Sequence, residues 1–457
     1  MLRDYQQKAI DEIRAHFSAG RKKGILHLDT GAGKTVIFSN MLKAALARQR
    51  RSVMAVRGRM LVEQASQRLF REDTDHGVYM AGHWRFRPNR QVQIASIDTL
   101  RSRSLFPPAD FIVVDEADQS TSKSFLNFIN AYPNAYILGV TATPYDKGGL
   151  AHLGDFVVRP ITFQGLVDLG FLVAPKYYAP ENYDFSKIKI ARGDYSTPEL
   201  NDFMNRSVLV GDLVENWKAL GEGRSTLCFA VSVEHSKHIA AQFASAGIPA
   251  AHCDADTPEA VRTRCIEKLQ SGEIKILSNV GLFCRGVDLP FLGAILFARP
   301  TKSVNLYIQQ CGRGTRPFPG KQNFLILDHA GNVMRHGFIE DERAAIIQPI
   351  KNKKNDSLPR IFTCEHCYAV VPKLPCPQCG AAPSVEAVRS RLLEIEPGVL
   401  KELTKQKMFA EIRPIQVQME IARLKEICVS KGYKLGWVYH QLKNKFGEEI
   451  ANEYYGR

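Results

Sequence analysis

Residues 24–42 read Gly24-Ile-Leu-His-Leu-Asp-Thr-Gly-Ala-Gly-Lys-Thr-Val-Ile-Phe-Ser-Asn-Met-Leu42. An apolar run ending at Leu28 passes into a glycine-rich turn, Thr30 to Thr35, and then into a helical pattern, which reads as strand, loop and helix in succession. Glycines let backbone amides curl round phosphate oxygens, and the start of a helix favours an anion. Lys34 is placed to reach terminal phosphates and Thr35 to ligate Mg²⁺. The first glycine of the eight-residue form of such a loop is missing here, so the loop is a shortened one. Thr30, Gly31, Ala32, Gly33, Lys34 and Thr35 are therefore expected to hold a nucleoside triphosphate.

The same rhythm continues outward. Phe111-Ile-Val-Val, Tyr136-Ile-Leu-Gly-Val and Leu227-Cys-Phe-Ala-Val are short buried-strand runs separated by helix-length amphipathic stretches. That alternation predicts an α/β protein with parallel sheets. It loosens between about 146 and 205, through Gly148-Gly149, Pro160, Pro175, Pro180 and Pro198, and then resumes. The reading is a first lobe over 1–158, a linker over 159–205 and a second lobe over 206–350. The chain of 457 residues is long enough for about three domains.

Phe111-Ile-Val-Val-Asp-Glu-Ala-Asp118 ends a strand in two adjacent acids. Strand-end carboxylates suit a magnesium nucleotide: Asp115 would hold the metal and Glu116 would orient or deprotonate the attacking water. With these residues in order, the chain resembles the superfamily 2 helicases and translocases, in which two tandem RecA-like lobes hold ATP in the cleft between them. The shortened glycine loop is the helicase variety. Leu2-Arg-Asp-Tyr-Gln6 resembles the adenine-reading motif, with Gln6 the implied base contact. Thr141-Ala-Thr143 resembles the segment that couples hydrolysis to strand movement. Ser278-Asn-Val-Gly-Leu-Phe-Cys-Arg-Gly-Val-Asp288 resembles the second-lobe motif that senses nucleotide and strand, with Gly286 and Asp288 at the matching positions. Gln309-Gln-Cys-Gly-Arg-Gly-Thr-Arg316 resembles the arginine-finger motif, so the resemblance implies that Arg313 and Arg316 reach the γ-phosphate from the other lobe. These motifs cover roughly residues 1–345.

Within the superfamily the chain looks most like the RadD-like DNA repair helicases, in a compact form of phage or prophage type. The residues that carry this are Tyr183-Asp-Phe-Ser-Lys, Ser232-Val-Glu-His-Ser-Lys, Arg299-Pro-Thr-Lys-Ser-Val-Asn-Leu-Tyr and Leu325-Ile-Leu-Asp-His-Ala-Gly-Asn332, with a cysteine-rich segment after the second lobe. The last 70 or so residues differ from the larger members. Asp-Glu-Ala-Asp also spells the signature of RNA-unwinding proteins, but those typically carry Ser-Ala-Thr where this chain has Thr141-Ala-Thr, and His where it has Gln309. The resemblance thus implies DNA over RNA.

The net charge of +14 is concentrated. Residues 42–103 hold thirteen Lys/Arg against five Asp/Glu, and residues 351–457 hold eighteen against twelve, so everything else is balanced. Local positive charge marks an anionic partner. The first stretch contains Val53 to Gln64 and Ile94 to Arg103, where helicases of this kind touch phosphates, and Arg57, Ser96, Thr99 and Arg101 are the candidate contacts. Phosphate contacts give affinity without reading sequence, as a motor requires. His83-Trp-Arg-Phe-Arg mixes aromatics with arginines; it could stack on a base or split a duplex, or Trp84 and Phe86 could anchor the loop in the core.

Four of the ten cysteines cluster as two Cys-x-x-Cys pairs, Cys364/Cys367 and Cys376/Cys379. This spacing, with Pro375, Pro377 and Gly380 alongside, predicts a Cys₄ zinc ribbon over 351–385, structural rather than catalytic because no position is left open to water. His366 is an alternative ligand. The other six thiols read as buried and free, as in a reducing compartment. From 386 the chain reads as a small helical region, with Val417, Ile421, Leu424 and Ile427 at helix spacing, and Lys431 to Phe446 interleaves aromatics with lysines. No apolar run suits a membrane span and the N-terminus has no secretory pattern, so the expectation is a cytoplasmic monomer using ATP, Mg²⁺ and Zn²⁺. Its expected partner is single-stranded or branched DNA, with RNA the lesser reading and a repair or single-strand-binding protein a possible companion. Two other classes stay open: the motor subunit of a restriction or recombination complex, and a remodelling protein in which ATP gates DNA affinity without unwinding.

Overall fold

The structure is a computed structural model. It describes residues 2–179 without 104–105 and 146–147, residues 190–191, 194–195 and 207–348 without 285–286, and short stretches beyond: 362–363, 370–371, 401–403, 421, 424 and 436–446.

The first lobe is a seven-stranded parallel sheet. Its strands are β1 (Lys23–His27), β2 (Ser52–Val56), β3 (Gly77–Tyr79), β4 (Val92–Ser96), β5 (Phe111–Asp115), β6 (Tyr136–Thr141) and β7 (Val157–Val158), in the spatial order β3-β4-β2-β5-β6-β1-β7. Every residue of β2 and β4 is buried, as a sheet covered by helices on both faces requires. The second lobe contains β8 (Ala174–Ala179), β11 (Thr226–Phe229), β12 (Ala250–Cys253), β13 (Ile276–Asn279), β14 (Ala294–Phe297) and β15 (Asn323–Asp328), with β18 (Lys401–Leu403) as the antiparallel edge. Two short hairpins complete the strands: β9 (Ile190–Ala191) with β10 (Asp194–Tyr195), and β16 (Phe362–Thr363) with β17 (Val370–Val371). The predicted pair of parallel-sheet α/β lobes is thus present. One apolar cluster runs through both, from Ile10, Ile37 and Leu138 to Phe229, Tyr307 and Phe324, while the outer face of each sheet has its own.

Three boundaries differ from the sequence reading. The segment assigned as linker contains β8, which pairs in parallel with β15 inside the second sheet. Pro175 suggested a linker because it cannot donate to a ladder. Among the described residues β18 pairs only with Tyr177–Ala179, so no described strand lies on the other side of Pro175. At the far end, Ile346 and Ile347 return to the first lobe: Ile346 N–H donates to the Pro144 carbonyl (2.7 Å) and Leu150 N–H to the Ile347 carbonyl (2.8 Å). The region from 386, expected to be helical, contributes the strand β18 as well as the helix Gly436–Phe446, with Leu424, Val438 and Leu442 buried. No helix among the described residues is long and apolar enough to cross a membrane.

Parallel strands all end on the same edge of a sheet, so the strand order decides which loops meet. The order places the ends of β5, β6 and β1 side by side, with Asp115 beside Val140 and His27 beside Thr141. β1 is packed to its limit: a methyl group on Gly24 would lie 2.2 Å from the Phe156 ring. Gly24→Ala is expected to destabilise the first lobe by about 1–3 kcal/mol through overpacking. A thermal melt showing no loss would contradict this packing.

Candidate active site

The glycine loop leaves β1 at the sheet edge and ends in the helix Lys34–Ala47. Gly31 (φ +90°) and Gly33 (φ +83°) occupy backbone conformations that only glycine adopts without strain, which is why the loop needs them. Lys34 Nζ donates to the Leu28 carbonyl (3.1 Å). The N-terminal helix braces the loop: the Tyr5 hydroxyl (2.7 Å) and Gln6 Nε2 (3.5 Å) both donate to the Ala32 carbonyl. Gln6 is buried and its Oε1 accepts from Arg3 N–H, so both ends of the amide are engaged within the protein. The Arg3 guanidinium lies 3.7 Å over the Phe171 ring.

Asp115 and Glu116 face this loop from the end of β5. Glu116 adopts φ +48°, a strained value for a side-chain-bearing residue, and its Oε2 is buried without a hydrogen-bond partner. Burial and the Glu116 charge push the Asp115 carboxyl up to about 7, with Lys34 pulling the other way. Burial pulls the Lys34 amine down, opposed by Glu116, Asp115 and Asp29. Asp29 is raised by burial against the pull of Arg159 and Lys34, and its Oδ2 has no partner. Crowded carboxylates, two of them holding an orphaned oxygen, form a site that a divalent cation suits. Asp115 with Thr35 would hold Mg²⁺, which neutralises phosphate charge.

The second lobe completes the site. Gln309 Nε2 donates to Asp118 Oδ2 (3.3 Å) and to Thr143 Oγ1 (3.1 Å). Thr141 Oγ1 donates to the other Asp118 oxygen (3.0 Å) and accepts from Thr143 N–H (3.0 Å). A buried network thus ties the acidic strand end, the Thr141-Ala-Thr143 segment and the second lobe. Thr315 Oγ1 approaches the Thr30 carbonyl (3.4 Å), and a methyl on Gly312 would lie 2.6 Å from Thr30 Cβ. Arg313 is buried, with Nη1 on the Val287 carbonyl (2.6 Å) and Nε unpartnered. Burial lowers its pKa first, the neighbouring Arg316 adds to this, and the Glu116 charge across the cleft opposes it. Arg316 is ion-paired to Asp288 and lies beside Gly31. Gly286 and all four clustered cysteines lie outside the described residues.

The structure therefore brings together Gln6, Thr30 to Thr35, Asp115, Glu116, Thr141, Thr143, Asp288, Arg313 and Arg316. It does not gather the nucleic-acid candidates so neatly. Arg57 Nη2 donates to Ser122 Oγ (2.9 Å) and Ser124 Oγ (3.2 Å), Ser96 is buried, and buried Thr99 accepts from Ala81 N–H (3.2 Å), which leaves Arg101 as the exposed member. Sequence reasoning gave no role to Tyr5, Asp118, Gln309 or Thr315. Tyr5 was legible as the aromatic beside Gln6; the Asp118–Gln309 pair joins residues 191 apart and has no local signal.

This fold and site define a two-lobed nucleotide-hydrolysing motor. Residues 1–146 match the family described as type III restriction enzyme, res subunit, and residues 209–317 match the helicase conserved C-terminal domain. The chain belongs to the superfamily 2 helicases, enzymes that hydrolyse ATP. It is 29% identical over 391 residues to a 51.5 kDa protein of a Lactococcus phage (isolate 7-9), covering 83% of each. It is 30% identical over 355 residues to the putative ATP-dependent helicase IRC3 of Saccharomyces cerevisiae, covering 72% of this chain and 52% of the yeast protein, so it spans about half of that relative. Among solved structures, an ATP-dependent type ISP restriction-modification enzyme, LlaBIII bound to DNA, superposes with TM-score 0.53 at 20% identity over 72% of this chain and 27% of that one. That likeness is one of fold.

Replacing Gln309 with Ala removes both bonds of the bridge while leaving the glycine loop intact. At about 1 kcal/mol per hydrogen bond, kcat for ATP is expected to fall about tenfold or more, with a smaller change in KM. Steady-state kinetics check this.

Proposed function

We propose that this protein is an ATP-driven motor that moves along DNA, closing its lobes on ATP and opening them after hydrolysis. The observation that carries the reading is the bridge of Gln309 to Asp118 and Thr143, since it makes the nucleotide site the joint work of both lobes. Lys34 and Arg313 would contact the γ-phosphate from opposite lobes, Glu116 would activate the water, Arg316 would exchange Asp288 for phosphate charge, and Gln6 would report on the nucleotide through Ala32. Glu116, with its orphaned oxygen, fits the role of base.

DNA is supported by the excess of thirteen Lys/Arg over five Asp/Glu in residues 42–103, which span β2 to β4 at the same sheet edge, and by the DNA-bound state of the restriction enzyme that shares the fold. The finer reading is a compact RadD-like helicase acting in repair or recombination, with zinc held by Cys364, Cys367, Cys376 and Cys379. The hairpin of β16 and β17 brackets the first of these pairs in the chain, a setting that suits a zinc knuckle. Zinc there would supply folding energy rather than catalysis. A second reading, the motor subunit of a restriction complex, is favoured by the res-subunit match over residues 1–146.

The deciding experiment is ATP hydrolysis by the purified protein alone and with single-stranded DNA, branched DNA or RNA, at two salt concentrations. Stimulation by DNA that weakens with salt is expected; stimulation by RNA alone would overturn the DNA reading. Lys34→Ala is expected to abolish turnover and leave DNA binding largely unchanged. Metal analysis is expected to find one zinc per chain, lost together with local structure on chelation.

A further inference from the structure

The loop after β3 is built to display one side chain. It leaves the sheet at Tyr79, turns, and comes back beside β3, where Val78 N–H donates to the Arg85 carbonyl (3.0 Å). Two side chains from other elements pin its tip. Thr99, in the helix Ile97–Arg103 that follows β4, accepts from Ala81 N–H (3.2 Å), and Glu63, on the helix Arg59–Arg71, bonds His83 Nε2 (3.1 Å). Because His83 Nδ1 accepts from Arg85 N–H (3.0 Å), its proton sits on Nε2 and donates to Glu63. His83 is the buried anchor of this loop.

Trp84 is not an anchor. It is 73% exposed, and the Arg85 guanidinium lies between its ring (4.6 Å) and that of Phe70 (4.8 Å), which is itself 65% exposed. Phe86, also exposed, leans on Tyr79. Among the described residues no carboxylate pairs with Arg71, Arg85 or Arg87, although the loop's other neighbours are neutralised: Arg59 by Glu63, Arg68 by Glu72 and Arg90 by Asp75. Exposed aromatic rings on a pinned loop, beside arginines that no described carboxylate pairs, suit a nucleobase with its phosphate, because every base has a π-face and every nucleotide a negative charge. The location agrees. β3 is the outermost strand of the first lobe, two strands and about 10 Å beyond the end of β2 with Arg57.

We propose that Trp84, with Arg85 set between its ring and that of Phe70, is a nucleobase-stacking site that takes an unpaired base of the DNA strand where it meets the outer edge of the first lobe. This rests on the reading of the protein as a DNA motor. Stacking neutralises no phosphate, so its contribution is independent of salt, whereas that of Arg87 is salt-dependent.

The test uses the full chain and a 20-nucleotide single strand of thymidine, intact or with one abasic position moved along it. Trp84→Ala is expected to weaken binding about tenfold at unchanged salt slope, and Trp84→Phe to restore most of the affinity. One abasic position should weaken the wild type and leave Trp84→Ala no weaker than it already is. Thermal melts of both variants check that they fold. Equal affinities of wild type and Trp84→Ala overturn the stacking site and point to a protein-docking face instead, as does an abasic loss that is the same in both proteins. If the wild type binds the strand and its ATPase responds, the motor reading survives that failure. If the wild type binds no strand, both fall together.

Discussion

Opposite charges forced into one narrow cleft hold this molecule's function together. Lys34, Asp29 and Asp115 on the first lobe and Arg313 on the second are withdrawn from water, and burial pushes each toward its neutral form while neighbouring opposite charges oppose it. Such a set is costly to bury and is tolerated because its members offset one another. Under the proposed reading, an incoming polyanion with its cation would change that balance on both lobes at once.

The strand order converts this local chemistry into a machine. The ends of β5, β6 and β1 lie side by side, so the acidic pair, the Thr141-Ala-Thr143 segment and the glycine loop share one edge without any long loop reaching across. Asp118 ties that edge to the second lobe through Gln309. The return of Ile346 and Ile347 to Pro144 and Leu150 fastens the chain leaving the second lobe to the first lobe, just beyond Thr143.

Much of this was legible in the residues. The strands at Gly24, Phe111, Tyr136 and Leu227 announce themselves because parallel strands buried on both faces must be continuous apolar runs. The glycine loop is legible because its backbone needs positive φ at Gly31 and Gly33. β8 was not, since Pro175 argues against a ladder in general and is admissible only where the partner strand stops short of it. Thr99 suggested a phosphate contact by its motif position, yet its hydroxyl pins the Trp84 loop.

The sequence by itself determined the class of fold and marked the glycine loop, the strand-end acids and the Gln309–Arg316 motif as candidates, because each is a local pattern spanning a few residues. Only the tertiary structure decided which partners those groups find. Gln309 reaches Asp118 across 191 residues, Arg316 takes Asp288, and Trp84 stands in solvent while its neighbour His83 is buried. Those outcomes depend on how two sheets pack and which strand ends become neighbours, and side-chain contacts across such distances leave no period or spacing in the chain.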